Sequence, residues 1–77
     1  MKRKNVKEGV LVKIKDVHAT HWSGSTLLDQ YGAMDCSTHV VYKITLDDVD
    51  YGGDVRVKNP ETGCILYVNK ANLRKVK

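Results

Sequence analysis

The sequence has no phenylalanine, a single proline and a single tryptophan, and its apolar residues never gather into a long run. A helix that crosses a bilayer needs about 20 consecutive apolar residues, and no stretch of the chain approaches that length. No apolar stretch of signal-peptide length follows the basic N terminus either. We therefore expect a cytoplasmic protein that has no membrane partner.

Cysteine is also scarce. Cys36 and Cys64 allow one disulfide at most, whereas small extracellular scaffolds depend on several. We expect both thiols to be free, with Cys64 as a small core residue and Cys36 in a loop. Free thiols fit a reducing compartment, in agreement with the cytoplasmic expectation.

The length of 77 residues allows one domain with a single core layer and leaves no room for a separate catalytic domain. Apolar residues make up 42% and charged residues 29% of the chain, a balance that indicates a folded rather than a disordered protein. The sequence contains no evident nucleophile–base set and no glycine-rich phosphate loop. We predict a non-enzyme without a cofactor, with a flexible basic segment over residues 1–8 and one domain over residues 9–77.

Apolar and polar residues alternate in several short runs, which is the period of a half-buried β-strand. We predict strands over residues 10–14, 38–46, 53–58, 64–69 and 73–76. Between the third and fourth strands, Pro60 presets the backbone for a turn and Gly63 permits a left-handed conformation. These two strands are therefore predicted to pair as an antiparallel hairpin.

The segment 16–37 interrupts this pattern and is predicted to be a long loop. Ser25 has the chemistry of a helix N-cap and Gly32 that of a helix end, so the loop is expected to contain one short helical turn. Trp22 and Met34 are expected to anchor the loop on the core.

The order of strands, long loop and tight hairpin resembles a Src-homology-3-like barrel over about residues 9–76. The resemblance is carried by Gly53-Asp54-Val55-Arg56-Val57, the turn at Gly63, Tyr67-Val68, and the ending Asn69-Lys70-Ala71-Asn72-Leu73 with Val76. It implies an all-β, five-stranded barrel of a type that is common among bacterial and bacteriophage proteins of unknown function. The long loop carries His18, His21 and Trp22 where peptide-binding members have a Tyr-rich acidic motif, so recognition of Pro-rich peptides is not implied.

Charge is unevenly distributed along the chain, which has a formal net charge of +4. The first 15 residues and the residues after position 55 are mainly basic, whereas residues 16–54 hold seven Asp and one Lys. Because the ends of a small domain often lie together, this order predicts one basic and one acidic surface. The leading hypothesis is a module that docks a host protein through a charged face, at Trp22, Asp47, Asp48, Asp50, Tyr51 and Asp54.

A competing hypothesis assigns the function to the basic residues. Cations arranged around an exposed tyrosine suit nucleic acid, because the charges hold phosphates and the ring stacks on a base. The candidate residues for this interface are Lys13, Lys15, Lys43, Arg56, Lys58 and Tyr67.

A third hypothesis concerns zinc. His18 and His21, together with Cys36 and His39, form two pairs with the spacing of zinc ligands, and a metal ion bound there would staple the long loop. We favour the interpretation that these residues lie on a surface loop and that the protein folds without metal, because alternation over four strands already accounts for a core.

Overall fold

The computed structural model describes residues 1–20 and 24–76, and most of its regular structure is β-strand. The strands are β1 (Leu11–Ile14), β2 (Tyr42–Ile44), β3 (Asp54–Lys58), β4 (Ile65–Asn69) and β5 (Leu73–Lys75), joined by a helix α1 (Leu27–Tyr31) and by 3-10 turns at Arg3–Asn5 and Lys70–Asn72. They form one five-stranded sheet in the order β4-β3-β2-β1-β5, with antiparallel neighbours throughout. The all-β prediction is confirmed. Within the described residues no pairing joins β4 to β5, so the sheet is not closed.

The hairpin between β3 and β4 is the longest paired region, running from Asp54↔Asn69 to Lys58↔Ile65. Its turn is held by the fully buried Asn59, whose side-chain oxygen accepts the N–H groups of Glu61 and Thr62. Gly63 has a φ of 78°, which a residue with a side chain rarely adopts. The predicted antiparallel hairpin is confirmed.

Strand β2 is shorter than the predicted 38–46, and both ends have a visible cause. The hydroxyl of Tyr42 donates to the Asp35 carbonyl at 2.7 Å and accepts the Ser37 N–H at 3.0 Å, which turns the preceding chain away from the sheet. At the other end Leu46 is 53% exposed, so it does not share the inner face with Tyr42 as the alternation predicted.

The long loop contains the predicted helical turn, with one change at its start. The side chain of Thr26, not of Ser25, caps α1 by accepting the Asp29 N–H, and the helix ends at Gly32. Leu27 is buried and anchors the helix, whereas Met34 is 84% exposed and therefore does not anchor the loop. Trp22 lies outside the described residues.

The core lies on one side of the sheet, and the N-terminal segment contributes to it. Val6 is fully buried, and its carbonyl accepts the Asp48 N–H at 2.9 Å. The Met1 ammonium donates to the Lys70 carbonyl at 2.9 Å. The flexible segment that the sequence predicts over residues 1–8 stays a prediction. The fully buried strand residues are Val12, Ile14, Tyr42, Ile44, Val55, Val57, Leu66, Val68 and Leu73.

The two cysteines are free, as the sequence predicts, but the loop cysteine is the more deeply buried of the two. Cys36 is buried although it lies in the loop, and burial raises the pKa of its thiol. Cys64 is only half-buried. None of the described helices is long and apolar enough to span a membrane.

Candidate functional site

The face of the sheet opposite the core collects cations from four strands. On β3, Val55 and Val57 point into the core, so Arg56 and Lys58 lie on the other face, and the same alternation holds in β1, β2 and β4. We call this the basic face, and its cations are Lys13, Lys43, Arg56, Lys58 and Arg74. Asp54 lies on the same face, at the opposite end of β3 from Lys58.

The strand register places these cations beside each other rather than beside carboxylates. Lys43 on β2 is directly opposite Lys58 on β3, and Lys13 on β1 is directly opposite Arg74 on β5. Like charges in opposite positions destabilise a sheet by a few tenths of a kcal/mol, up to about 1 kcal/mol. In the described part of the chain, no carboxylate lies within salt-bridge distance of Lys13, Lys43 or Lys58. Among the described residues, these three lysines of the basic face therefore form no ion pair.

A cleft of about 410 Å³ opens beside the paired lysines. It is lined by Glu8, Lys43, Ile44, Thr45, Lys58 and Pro60. Two lysines, a threonine and a glutamate thus line one concave site, where the Thr45 hydroxyl donates to the Arg56 carbonyl at 3.4 Å. The chemistry of the pair favours an anion, whereas Glu8 at the rim lowers the positive charge on one side.

An exposed tyrosine lies at the edge of the basic face. Tyr67 on β4 is directly opposite Arg56 on β3 and is 43% exposed. Because the Asn59 N–H bonds the Cys64 carbonyl, alternation makes this a non-hydrogen-bonded pair, the kind in which side chains are closest. The Nε of Arg56 is buried and has no hydrogen-bond partner among the described residues. Arg56 is thus partly buried, and its Nε is screened from solvent.

The backbone of Tyr67 is fixed from outside the sheet by α1. Its N–H points away from β3 and donates to the Tyr31 hydroxyl at 3.0 Å. Tyr31 is half-buried, and this burial raises the pKa of its hydroxyl. The loop that carries α1 therefore positions the edge strand on which the exposed ring stands.

The acidic loop between β2 and β3, residues 45–53, uses its carboxylates differently. Asp48 binds Arg3 through two contacts, Nε to Oδ1 at 2.6 Å and Nη2 to Oδ2 at 3.0 Å. The hydrogen bond from Arg3 is the main cause that lowers the pKa of Asp48 to about 2. One oxygen of Asp47 accepts the Glu8 N–H at 2.7 Å. These contacts tie the N-terminal segment to the loop.

Asp50 organises the second half of the same loop. One of its carboxylate oxygens accepts the N–H groups of Gly52 at 2.9 Å and of Asp54 at 2.8 Å. Tyr51 lies at the tip of this turn and is fully exposed. Of the candidate protein-docking residues, Asp47, Asp48 and Asp50 thus support local backbone, whereas Tyr51 projects outward.

The structure brings together five of the six predicted nucleic-acid residues. Lys15 is the exception because it follows the end of β1, where its N–H donates to the Asn72 carbonyl at 2.9 Å. It lies near the Met1 ammonium, whose pKa is lowered chiefly by burial and then by Lys15. Sequence reasoning missed Arg74, although the burial of Leu73 in the last strand implies an outward Arg74 by alternation.

The residues of the zinc hypothesis are only partly described. His18 and His39 are exposed, Cys36 is buried, and His21 lies outside the described residues. Across residues 1–20 and 24–76, no group of three or more His, Cys, Asp or Glu side chains is arranged to hold a metal ion. Both the zinc hypothesis and the favoured interpretation that the protein folds without metal therefore stay predictions.

The chain matches no protein-family model, no curated protein and no solved structure. Its function is therefore inferred from the charge, exposure and geometry of the described surface.

Proposed function

We propose that this protein is a non-catalytic module that binds nucleic acid on its basic face. The observation that supports this proposal is the strand register, which gathers five cations from β1, β2, β3 and β5 onto one surface. A polyphosphate chain is the ligand whose charge best complements such a surface, because cations that replace condensed counterions on phosphates gain affinity by their release. Most of the binding free energy would then depend on salt and not on base sequence.

The like-charge pairs strengthen this proposal. Two cations held directly opposite each other repel, so the free protein is less stable than it would be with neutral residues at these positions. A phosphate between Lys43 and Lys58 relieves that repulsion and makes charge-assisted hydrogen bonds to both. The cleft beside the pair, with Thr45 in its wall, offers room for such a group.

The test is a binding titration of labelled DNA and RNA oligonucleotides over a range of salt concentrations. For single strands the affinity falls with a slope of about 0.7 per phosphate contact, so removing one contact weakens binding about fivefold at 0.1 M salt. Lys43→Gln with Lys58→Gln should therefore weaken binding about 25-fold and reduce the salt slope by about 1.4. The matched control is Lys2→Gln with Lys4→Gln, which removes the same charge from exposed positions at the start of the N-terminal 3-10 turn.

Two results would contradict the proposal. One is an unchanged mobility of every oligonucleotide at low salt. The other is an equal loss of affinity in the two double variants, because binding would then follow net charge and not the basic face.

Docking of a host protein is a second candidate, favoured by two exposed apolar side chains on the acidic loop. Leu46 is 53% exposed and Tyr51 is fully exposed, in a loop whose carboxylates are already engaged with backbone and with Arg3. The test is a pull-down from bacterial lysate at low and moderate salt. A stoichiometric protein that is retained by the wild type and lost with Tyr51→Ser would support it, and recovery of no stoichiometric protein would count against it.

The fold assignment is also a proposal beyond the open sheet. We propose a Src-homology-3-like barrel of the bacterial or bacteriophage type, supported by the position of β5 beside β1 and by the 3-10 turn Lys70–Asn72 that leads into β5. A cytoplasmic location is proposed with it, supported by the two free cysteines. An experimental structure in which the sheet does not curve toward closure would remove the barrel assignment.

A further inference from the structure

We infer that the ligand of the basic face is a single-stranded nucleic acid, with one base stacked on Tyr67 and the adjoining phosphates held by Lys58 and Lys43. This inference rests on the proposed function and narrows it from nucleic acid in general to one strand state. Three observations lead to it: the exposed ring, the row of cations that starts next to it, and the absence of a groove-entering helix among the described residues.

The first observation is the place of the ring. Tyr67 stands on the outer face of β4 with 43% of its surface exposed, and the neighbouring cation on β3 is Arg56. In a duplex the base faces are covered by their neighbours, whereas in a single strand they are open to stack on an aromatic ring. An exposed ring among cations can therefore stack on a base of a single strand, whereas it cannot stack on the covered bases of a duplex.

The backbone that carries the ring is also held in position before any ligand arrives. Strand β4 is bonded to β3 through Leu66 and Val68, the neighbours of Tyr67 on either side, and on the outer edge the Tyr67 N–H donates to the Tyr31 hydroxyl. Because this backbone is already ordered, stacking of a base on the ring carries no additional cost of ordering a loop. The half-buried Tyr31 thus acts as a positioning residue for the ring.

The second observation is the path of positive charge away from the ring. From Arg56, Lys58 is two residues further along β3, about 7 Å away. Lys43 then lies directly across on β2, with Cβ atoms about 4.5–5.5 Å apart, and Leu11 lies opposite Lys43 on β1. Leu11 is 45% exposed, so the row ends on a second apolar surface. Cations flanked by an aromatic and an aliphatic side chain suit a strand whose phosphates and bases alternate.

The third observation is what the face lacks for a duplex. A protein reads a duplex by placing a helix or a two-stranded ribbon in its major groove. The helix α1 has five residues, and it packs at the β4 edge through Tyr31 instead of standing out from the basic face. The molecule is 28 Å in its longest dimension, so only a short stretch of a ligand contacts it.

The experiment compares a fluorescein-labelled single strand of thymidylates, about 16 nucleotides long as at the upper end of known small-barrel sites, with the duplex made by adding its complement. At equal salt the single strand should bind about 5- to 150-fold more tightly, the range that loss of one base–aromatic stack produces. Tyr67→Ala should remove that advantage, whereas Tyr67→Phe, which keeps the ring, should retain it.

The outcomes separate this inference from the function on which it rests. Duplex binding that equals or exceeds single-strand binding, with a steep salt dependence, overturns the single-strand inference and leaves nucleic-acid binding intact. A full single-strand preference in folded Tyr67→Ala overturns the role of the ring. Absence of binding to both probes at low salt overturns the proposed function itself. Because the strand comparison uses the wild-type protein, it decides the inference even when a variant does not fold.

Discussion

The basic face and the acidic loop treat charge in opposite ways. In the loop, Asp48 is paired with Arg3, and Asp50 accepts two backbone N–H groups, so each carboxylate has a partner inside the molecule. On the basic face, Lys43 and Lys58 face each other with no carboxylate within salt-bridge distance in the described chain. The difference teaches that carboxylates in the loop are used within the fold, whereas the two lysines on the sheet have no such partner among the described residues.

The largest expected effect comes from reversing charge on the second like-charge pair. Lys13→Glu with Arg74→Glu should weaken nucleic-acid binding by more than about 25-fold at 0.1 M salt, because two phosphate contacts are replaced by repulsion. The free energy of unfolding should change little, since the repulsion between the two positions is the same for either sign. Fluorescence anisotropy and denaturant unfolding measure the two quantities. Lys2→Glu with Lys4→Glu is the control. An equal loss of affinity in this control would show that binding does not distinguish the basic face from the N-terminal segment.

The reverse experiment removes a carboxylate from the loop. Asp50→Ala should lower the free energy of unfolding by about 1–3 kcal/mol, because the N–H groups of Gly52 and Asp54 lose a charged acceptor. Oligonucleotide affinity, measured well below the unfolding transition, should stay at the wild-type value. Stability equal to the wild type would mean that water replaces the carboxylate without loss.

A third change should move stability and binding in opposite directions. Lys43→Thr removes the repulsion with Lys58 and places a β-branched residue in a strand, so the free energy of unfolding should rise by up to about 1 kcal/mol. The same change should weaken nucleic-acid binding about fivefold at 0.1 M salt. Urea melts and anisotropy titrations of one preparation give both values. A variant that is less stable than the wild type but binds with the same affinity would show that Lys43 stabilises the fold and does not contribute to binding.

The smallest expected effect is a pH dependence in the loop. The pKa of Asp48 is lowered from 3.8 to about 2 by Arg3, so this carboxylate stabilises the folded state above pH 4 and loses its contribution as the pH falls toward 2. Between pH 4 and pH 2 the free energy of unfolding of Asp48→Asn should fall less steeply than that of the wild type. Above pH 4 the difference between the two proteins should stay constant. Denaturant midpoints between pH 2 and 5 measure the effect. An identical pH profile in wild type and variant would show that the exposed pair contributes nothing.

Features set by neighbouring residues could be predicted from the sequence. The β3–β4 hairpin follows from Pro60 and Gly63, and the outward positions of Arg56 and Lys58 follow from alternation. The choice of Thr26 over Ser25 as the helix cap could not be predicted, because both residues have the same chemistry.

Features set by contacts distant in the sequence were not predictable in the same way. The pairing of Lys43 with Lys58 depends on register between strands, which alternation alone leaves open by steps of two residues. The burial of Val6 depends on its contact with the loop at Asp48, more than 40 positions away. The basic residues next to Val6 in the sequence do not indicate that it is buried. The outward positions of the candidate residues could therefore be predicted from periodicity, whereas their assembly depends on tertiary pairing.

The hydrogen bond from the Tyr67 N–H to the Tyr31 hydroxyl also bears on the resistance of the protein to aggregation. Strand β4 is an outer strand of an open sheet, and outer strands offer unpaired N–H groups to which a strand of another molecule can add. The α1 loop occupies one of those groups in the middle of the strand. Addition of another strand at the edge of β4 must first displace this helix. Tyr31 therefore also protects β4 against edge-to-edge aggregation.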